Sequence, residues 1–274
     1  MDALRQVDDW PVGTATVGVA GATANVATHG HTSAGFAWAS VTKPVTALAA
    51  LVAAEEGTID LDASGGPKGS TVRHLLAHAS GLPLDAGLPI AKPGTRRIYS
   101  NAGFEALAEA VAAEAEMPFS DYLRHGVLDP LGLSARLAGS PASGLEGSLD
   151  DLLALGRELL APTLIAPETL AEATAVQFPG LVGVLPGFGR MEPNDWGLGF
   201  ELRDAKAPHW TGERNSPRTF GHFGQSGSFL WVDPDAGIAC ACLTDTPFGG
   251  WAKEAWPRLA DAVIGEIGRT GAPT

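Results

Sequence analysis

Strand-like runs stand at both ends of this chain and helical patterns fill the middle, an order that restricts the fold more than any single motif. Thr14 to Ala20 and Ala24 to Thr28 alternate small and β-branched residues about Gly21, which predicts a hairpin, and Gly35 to Trp38 reads as a third strand. Trp196 to Leu202, Ser228 to Val232 and Ile238 to Thr244 are strand-like again, the last two joined by the turn signal Asp233-Pro-Asp-Ala-Gly237. A helix is predicted from about Val41 to Glu56, stopping at Gly57, with Pro44 tolerated because the first turn has no use for its missing N–H. From about Asp62 to Pro193 helical patterns dominate, including Leu149 to Leu160 and Pro167 to Ala175, while Gly180 to Gly189 reads as a long loop. Trp256, Leu259, Ala260, Val263, Ile264 and Ile267 repeat at the helical period and predict a closing helix. The expected fold is therefore α+β. A discontinuous lobe, 1–61 and 194–274, holds an antiparallel sheet flanked by N- and C-terminal helices, and an all-helical lobe, 62–193, is inserted into it.

The composition suits such a core, with 45% hydrophobic and 18% charged residues in 274. A net charge of −13 argues against a nucleic-acid partner, whose phosphates it would repel. No apolar run reaches the ~18 residues that a membrane span needs. The opening Met1-Asp-Ala-Leu-Arg-Gln-Val-Asp-Asp9 is too polar for a secretory signal, so a cytoplasmic location is expected, although an exported chain trimmed of its leader would read the same way. Cys240 and Cys242 are two apart on a strand, with side chains on one face in a poor geometry for a disulfide, and read as small core residues.

Chemistry is signalled at three places. Ser40-Val-Thr-Lys43 sets a serine three residues before a lysine at a strand-to-helix junction, where the amine can fold back toward the hydroxyl. A lysine with a lowered pKa can take the serine proton, and a helix start can offer N–H groups to an oxyanion. Alone, the same string is an ordinary cap and a solvated lysine. Tyr99-Ser100-Asn101 precedes a helical pattern carrying Phe104, Leu107, Ala108 and Val111; taken singly, Asn101 is a helix cap and Tyr99 a half-buried aromatic. His222-Phe-Gly-Gln-Ser-Gly227 leads into a strand and, singly, is a glycine-rich turn. His74 with His78, and His29 with His31, raise a zinc hydrolase as a rival, but the first pair lacks the glutamate of H-E-x-x-H.

In this order the three segments resemble the active-site motifs of the serine β-lactamase and penicillin-binding protein superfamily, in its class C-like branch. That branch also holds D-alanyl-D-alanine carboxypeptidases and carboxylesterases. Thr71 to Leu82, Pro93 to Ala102, Leu128 to Leu133, Trp196 to Phe200 and Gly221 to Thr244 extend the likeness over most of the chain. The resemblance implies Ser40 as nucleophile and Lys43 with Tyr99 as the proton-transfer pair. Asn101, His222, Gly224 and Gln225 would contact the substrate, with the Ser40 and Gln225 N–H groups holding the oxyanion. It implies a small acyl substrate and needs neither metal nor organic cofactor. Lactamases of the branch usually carry Lys-Thr-Gly in the third motif, where this chain has His222 and Phe223. A substrate carboxylate would lose a charge-assisted hydrogen bond there unless Arg214 or Arg218 supplied the charge. The expected function is hydrolysis of a small ester or amide through an acyl-enzyme. The alternatives are a β-lactamase or D-Ala-D-Ala carboxypeptidase, and a non-catalytic ligand-binding relative.

Overall fold

The computed structural model describes residues 1–270, so the last four residues of the segment expected to end at 274 lie outside it. A 3₁₀ helix, Asp2–Asp9, leads into the hairpin β1 (Ala15–Ala20) and β2 (Asn25–His29), then β3 (Phe36–Ala37). A 3₁₀ turn, Ala39–Val41, runs into α1 (Thr42–Glu55), which ends at Gly57 with a φ of 75°. There follow α2 (Val72–Leu76), α3 (Asn101–Glu114), α4 (Phe119–Leu123), β4 (Arg136–Leu137), β5 (Leu145–Gly147), α5 (Leu149–Leu160) and α6 (Pro167–Ala173). The chain closes with β6 (Gly183–Leu185), β7 (Gly189–Met191), β8 (Glu201–Leu202), β9 (Phe220–Gly224), β10 (Ser228–Asp233), β11 (Ile238–Thr244) and α7 (Gly250–Thr270).

The central sheet runs β2-β1-β11-β10-β9-β8 with every pair antiparallel, so the N-terminal hairpin closes against the C-terminal strand. Alternation along these strands feeds two cores. Val17, Val19, Phe229, Trp231, Cys240 and Cys242 face α7 and the first 3₁₀ helix, while Ala20, Leu230, Val232, Ala239, Ala241 and Leu243 face the larger helical core. The two cysteines are free and buried, as a core role requires. Helix α5 lies directly on the sheet, against β1, β10 and β11. Gly18 and Gly156 permit that approach: a Cβ on Gly18 would sit 2.8 Å from Leu153, and one on Gly156 2.7 Å from Ala239.

The α+β fold is the expected one, and three details differ. The segment 62–193 also carries β4 and β5, of which β5 pairs with both β3 and β4, and the β6–β7 hairpin, which occupies part of the stretch read as a loop. Strands of two or three residues are too short to display a period. Of the strand expected over Trp196 to Leu202, only Glu201–Leu202 is one. Gly197 and Gly199 fold the rest into a tight turn, closed by a Gly197 N–H to Phe200 carbonyl bond of 2.9 Å and pressed against α1 so closely that a Cβ on Gly199 would lie 2.1 Å from that of Ala47. No helix among the described residues is long and apolar enough to cross a membrane.

Candidate active site

Ser40 stands in the 3₁₀ turn before α1, and the turn is set by Ala39, which holds a φ of 45°. A left-handed alanine costs on the order of 1–2 kcal/mol, and its neighbours keep it there. Ser228 donates a 2.7 Å hydrogen bond to the Trp38 carbonyl, and a Cβ at Gly224 would lie 2.4 Å from that same oxygen. Gly224 is thus the residue that lets the end of β9 touch the serine turn. Neither the Ser40 nor the Gln225 N–H donates to another described residue, and both residues line one pocket.

One turn after Ser40, at the second residue of α1, Lys43 is fully buried. Its Nζ donates to Asn101 Oδ1 at 2.7 Å and to the Ala142 carbonyl at 2.9 Å, and it lies 3.4 Å from Ser40 Oγ. Removal from water lowers its pKa to about 7, against the opposing pull of Glu105 and Asp85. The nitrogen also stands 4.6 Å from the centre of the Tyr99 ring. Burial pushes the Tyr99 phenol well up, with a hydrogen bond to Ser40 opposing that shift, so the hydroxyl keeps its proton at neutral pH. Ser100, not Asn101, caps α3, its Oγ accepting from the Gly103 N–H at 2.8 Å. That frees the Asn101 amide to bridge Lys43 and Asp85, to which its Nδ2 donates at 3.1 Å.

His222 closes the group from the β9 side, its ring 5.6 Å from that of Tyr99 and 5.5 Å from that of Trp196. Burial, helped by the Lys43 charge, drops its pKa to about 3, so the ring is neutral. Nδ1 lies 2.6 Å from the Phe223 carbonyl and so carries the proton, which leaves Nε2 a buried acceptor with no partner among the described residues. Phe223 turns toward Phe248 and Trp256 and presents only part of its ring to the site. These residues line one pocket of about 330 Å³ with Ser40, Tyr99, Asn101, Gln225, Asp85, Glu201, Trp196, Leu84, Leu185 and Pro186. All seven residues singled out from the sequence therefore meet at one place: Gly224 shapes the wall, Lys43 lies beneath the serine, and the other five line the pocket.

Sequence reasoning did not find Asp85 and Glu201, and it read His78 only as half of a possible zinc pair. Glu201 is buried and held ionised, its pKa falling to about 2 despite burial because His209 and Lys206 outweigh the desolvation. His78 belongs to no metal pair. Its carbonyl accepts from the Ile98 N–H at 2.9 Å and its Nδ1 from the Ser100 N–H at 3.1 Å, gripping the backbone on both sides of Tyr99, and its ring stacks 4.7 Å from the phenol ring. His74 is spent on the cap of α2, and His29 pairs with Asp8. Arg97 fixes the same strip from below, donating to the carbonyls of Ala77, Gln177, Phe178 and Asn194. Arg218 pairs with Asp235 on the surface, the Arg214 N–H binds Asp261, and neither residue lines the pocket.

The family model Beta-lactamase matches residues 6–264. A beta-lactamase crystal structure from Mycobacterium bovis superposes with a TM-score of 0.95 at 53% identity, covering 96% of this chain and 98% of that one. EstCE1, described as a hydrolase with promiscuous acyltransferase activity, shares the fold at a TM-score of 0.77 and 19% identity, over 96% and 97% of the two chains. Penicillin-binding protein 4* of Bacillus subtilis (strain 168) is 28% identical over 132 residues, and that match spans 36% of this chain and 29% of that protein.

Proposed function

We propose that this chain, which belongs to the beta-lactamase family, is a serine hydrolase that forms a covalent acyl-enzyme on a small ester or amide with no carboxylate beside the scissile bond. Ser40 Oγ attacks the carbonyl carbon and its proton passes to Lys43, the one group at the site whose pKa of about 7 matches a general base at neutral pH. Tyr99, which stays protonated, relays that proton from Lys43 to the leaving oxygen or nitrogen as the bond breaks. Asn101 holds the Lys43 amine, and the N–H groups of Ser40 and Gln225 receive the oxyanion. Water then attacks the acyl-serine carbonyl, Lys43 takes its proton, and as the C–Oγ bond breaks that proton passes to Ser40 Oγ and the acid product leaves. The chemistry calls on no metal or organic cofactor.

The observation that carries the substrate assignment is the charge around the pocket. Asp85 and Glu201 line it, His222 is neutral, and the remaining cation, Lys43, is already engaged with Asn101 and the Ala142 carbonyl. A substrate carboxylate would meet the Asp85 carboxylate, a Glu201 already paired with Lys206, and no free donor cation, a loss of a charge-assisted bond that is typically about 1.5–3 kcal/mol. Steady-state comparison of p-nitrophenyl acetate with a chromogenic cephalosporin tests this, and the ester is expected to show the higher kcat/KM. A second reading, β-lactamase or D-Ala-D-Ala carboxypeptidase, is favoured by the 53% identity to the Mycobacterium bovis structure described as a beta-lactamase; a preference for the cephalosporin would select it. A binding-only role is disfavoured by the assembled serine, lysine and tyrosine, which recognition alone does not require.

A further inference from the structure

Among the described residues seven large hydrophobic side chains are exposed; one of them, Leu84, lines the Ser40 pocket, two more share its stretch of chain, and Val184 adjoins the lining residue Leu185. Leu84, Leu88 and Ile90 are 50%, 86% and 66% exposed on the stretch 82–92, and Val184 is 56% exposed on the β6–β7 hairpin. Leu84 lines the pocket from one side, and Leu185 and Pro186, next to Val184, line it from the other. The stretch is fixed in place: the Leu84 carbonyl accepts from the Asn101 and Ala102 N–H groups at 2.6 and 3.2 Å, and the Gly81 carbonyl accepts from the Ile90 N–H at 2.9 Å. Beside it a second cavity of about 730 Å³ shares Asp85 and Asn101 with the first, but Lys68, Glu105 and Glu109 line it as well as Leu82 and Pro89, so the apolar surface next to the pocket is the exposed stretch itself.

Scattered single hydrophobics on a surface are ordinary, but a cluster around a reactive pocket is not. We propose that this rim receives the hydrocarbon tail of the substrate, so that the acyl group bound to Ser40 is a medium or long aliphatic chain leaving the pocket past Leu84 along the exposed stretch 82–92. The inference rests on the serine-hydrolase reading above. Continuity with the catalytic pocket commits the rim to the substrate: a second copy seated there would cover the pocket mouth, and a chain of net charge −13 is repelled from an anionic lipid surface.

The test is kcat/KM for p-nitrophenyl acetate, butyrate and octanoate, each below its aggregation concentration, on the parent and on Leu88→Asp with Ile90→Asp, alongside size-exclusion chromatography. Each methylene moved from water into apolar surroundings contributes up to about fourfold, so the parent rate should climb along the series. The octanoate-to-acetate ratio should fall about tenfold in the doubly substituted chain, whose altered side chains are exposed and outside the core. A flat or falling series in the parent, with acetate still hydrolysed through Ser40, overturns the tail site and leaves the hydrolase reading intact. An unchanged ratio in the variant, or a parent oligomer that the substitutions dissociate, overturns it as well. Loss of Ser40-dependent acetate hydrolysis in the parent instead removes the hydrolase reading, and the tail site with it.

Discussion

The Lys43 Nζ lies 2.7 Å from Asn101 Oδ1. Ser40 Oγ is 3.4 Å from the same nitrogen, the longer of the two contacts. In the resting site the amine is therefore held by the amide, poised beside the hydroxyl and not yet tightly bonded to it. Tightening of such contacts in the complex with substrate is common.

The lowered Lys43 pKa makes the pH profile informative. A base must be unprotonated to act, so kcat/KM should be low in acid and rise with pH through an apparent pKa near 7. Glu105 and Asp85 each favour the charged amine, so Glu105→Gln should shift this limb to lower pH. A limb that stays in place, or moves upward, would separate the titration from Lys43.

Lys43→Ala and Tyr99→Phe should each slow acylation by several hundredfold or more, on the order of 10² to 10⁴ for loss of a positioned proton carrier. Because the two serve one proton path, the double substitution should be scarcely worse than the more damaging single one. Pre-steady-state acylation rates measure this, and multiplicative losses would mean separate roles.

Gly224→Ala places a methyl group 2.4 Å from both the Trp38 carbonyl and Ser228 Oγ. The backbone oxygen cannot swing aside as a side chain would, so the turn carrying Ser40 must shift. Denaturant unfolding should show a loss of about 1–3 kcal/mol, with a fall in kcat larger than any rise in KM. Unchanged stability and kcat would show that β9 does not set the serine turn.

Much of this was legible in the sequence because it rests on periodic signals. The β1–β2 hairpin, α1 with its stop at Gly57, β10, β11 and the residues of α5 follow from alternation, helical spacing and turn chemistry. The site residues were legible because Ser40-x-x-Lys43, Tyr99-x-Asn101 and His222-x-Gly224 in this order resemble a known family's motifs; singly, each reads as a cap or a turn. What escaped depends on contacts across the chain. The left-handed Ala39 carries no residue signature, and the grip of His78 on Tyr99 joins groups about twenty positions apart. Glu201 is an ordinary strand glutamate until Lys206 and His209 close on it.

The central claim is that Ser40 is an acylated nucleophile, and intact-protein mass spectrometry after brief exposure to a fluorophosphonate and, separately, to p-nitrophenyl acetate tests it most directly. The account predicts one stoichiometric adduct mapping to Ser40 with the fluorophosphonate, and a transient acetyl adduct at the same residue. Ser40→Ala should give neither while unfolding at nearly the parent denaturant midpoint. Labelling that persists in Ser40→Ala, or a parent chain that stays unmodified while hydrolysing the ester, would contradict it.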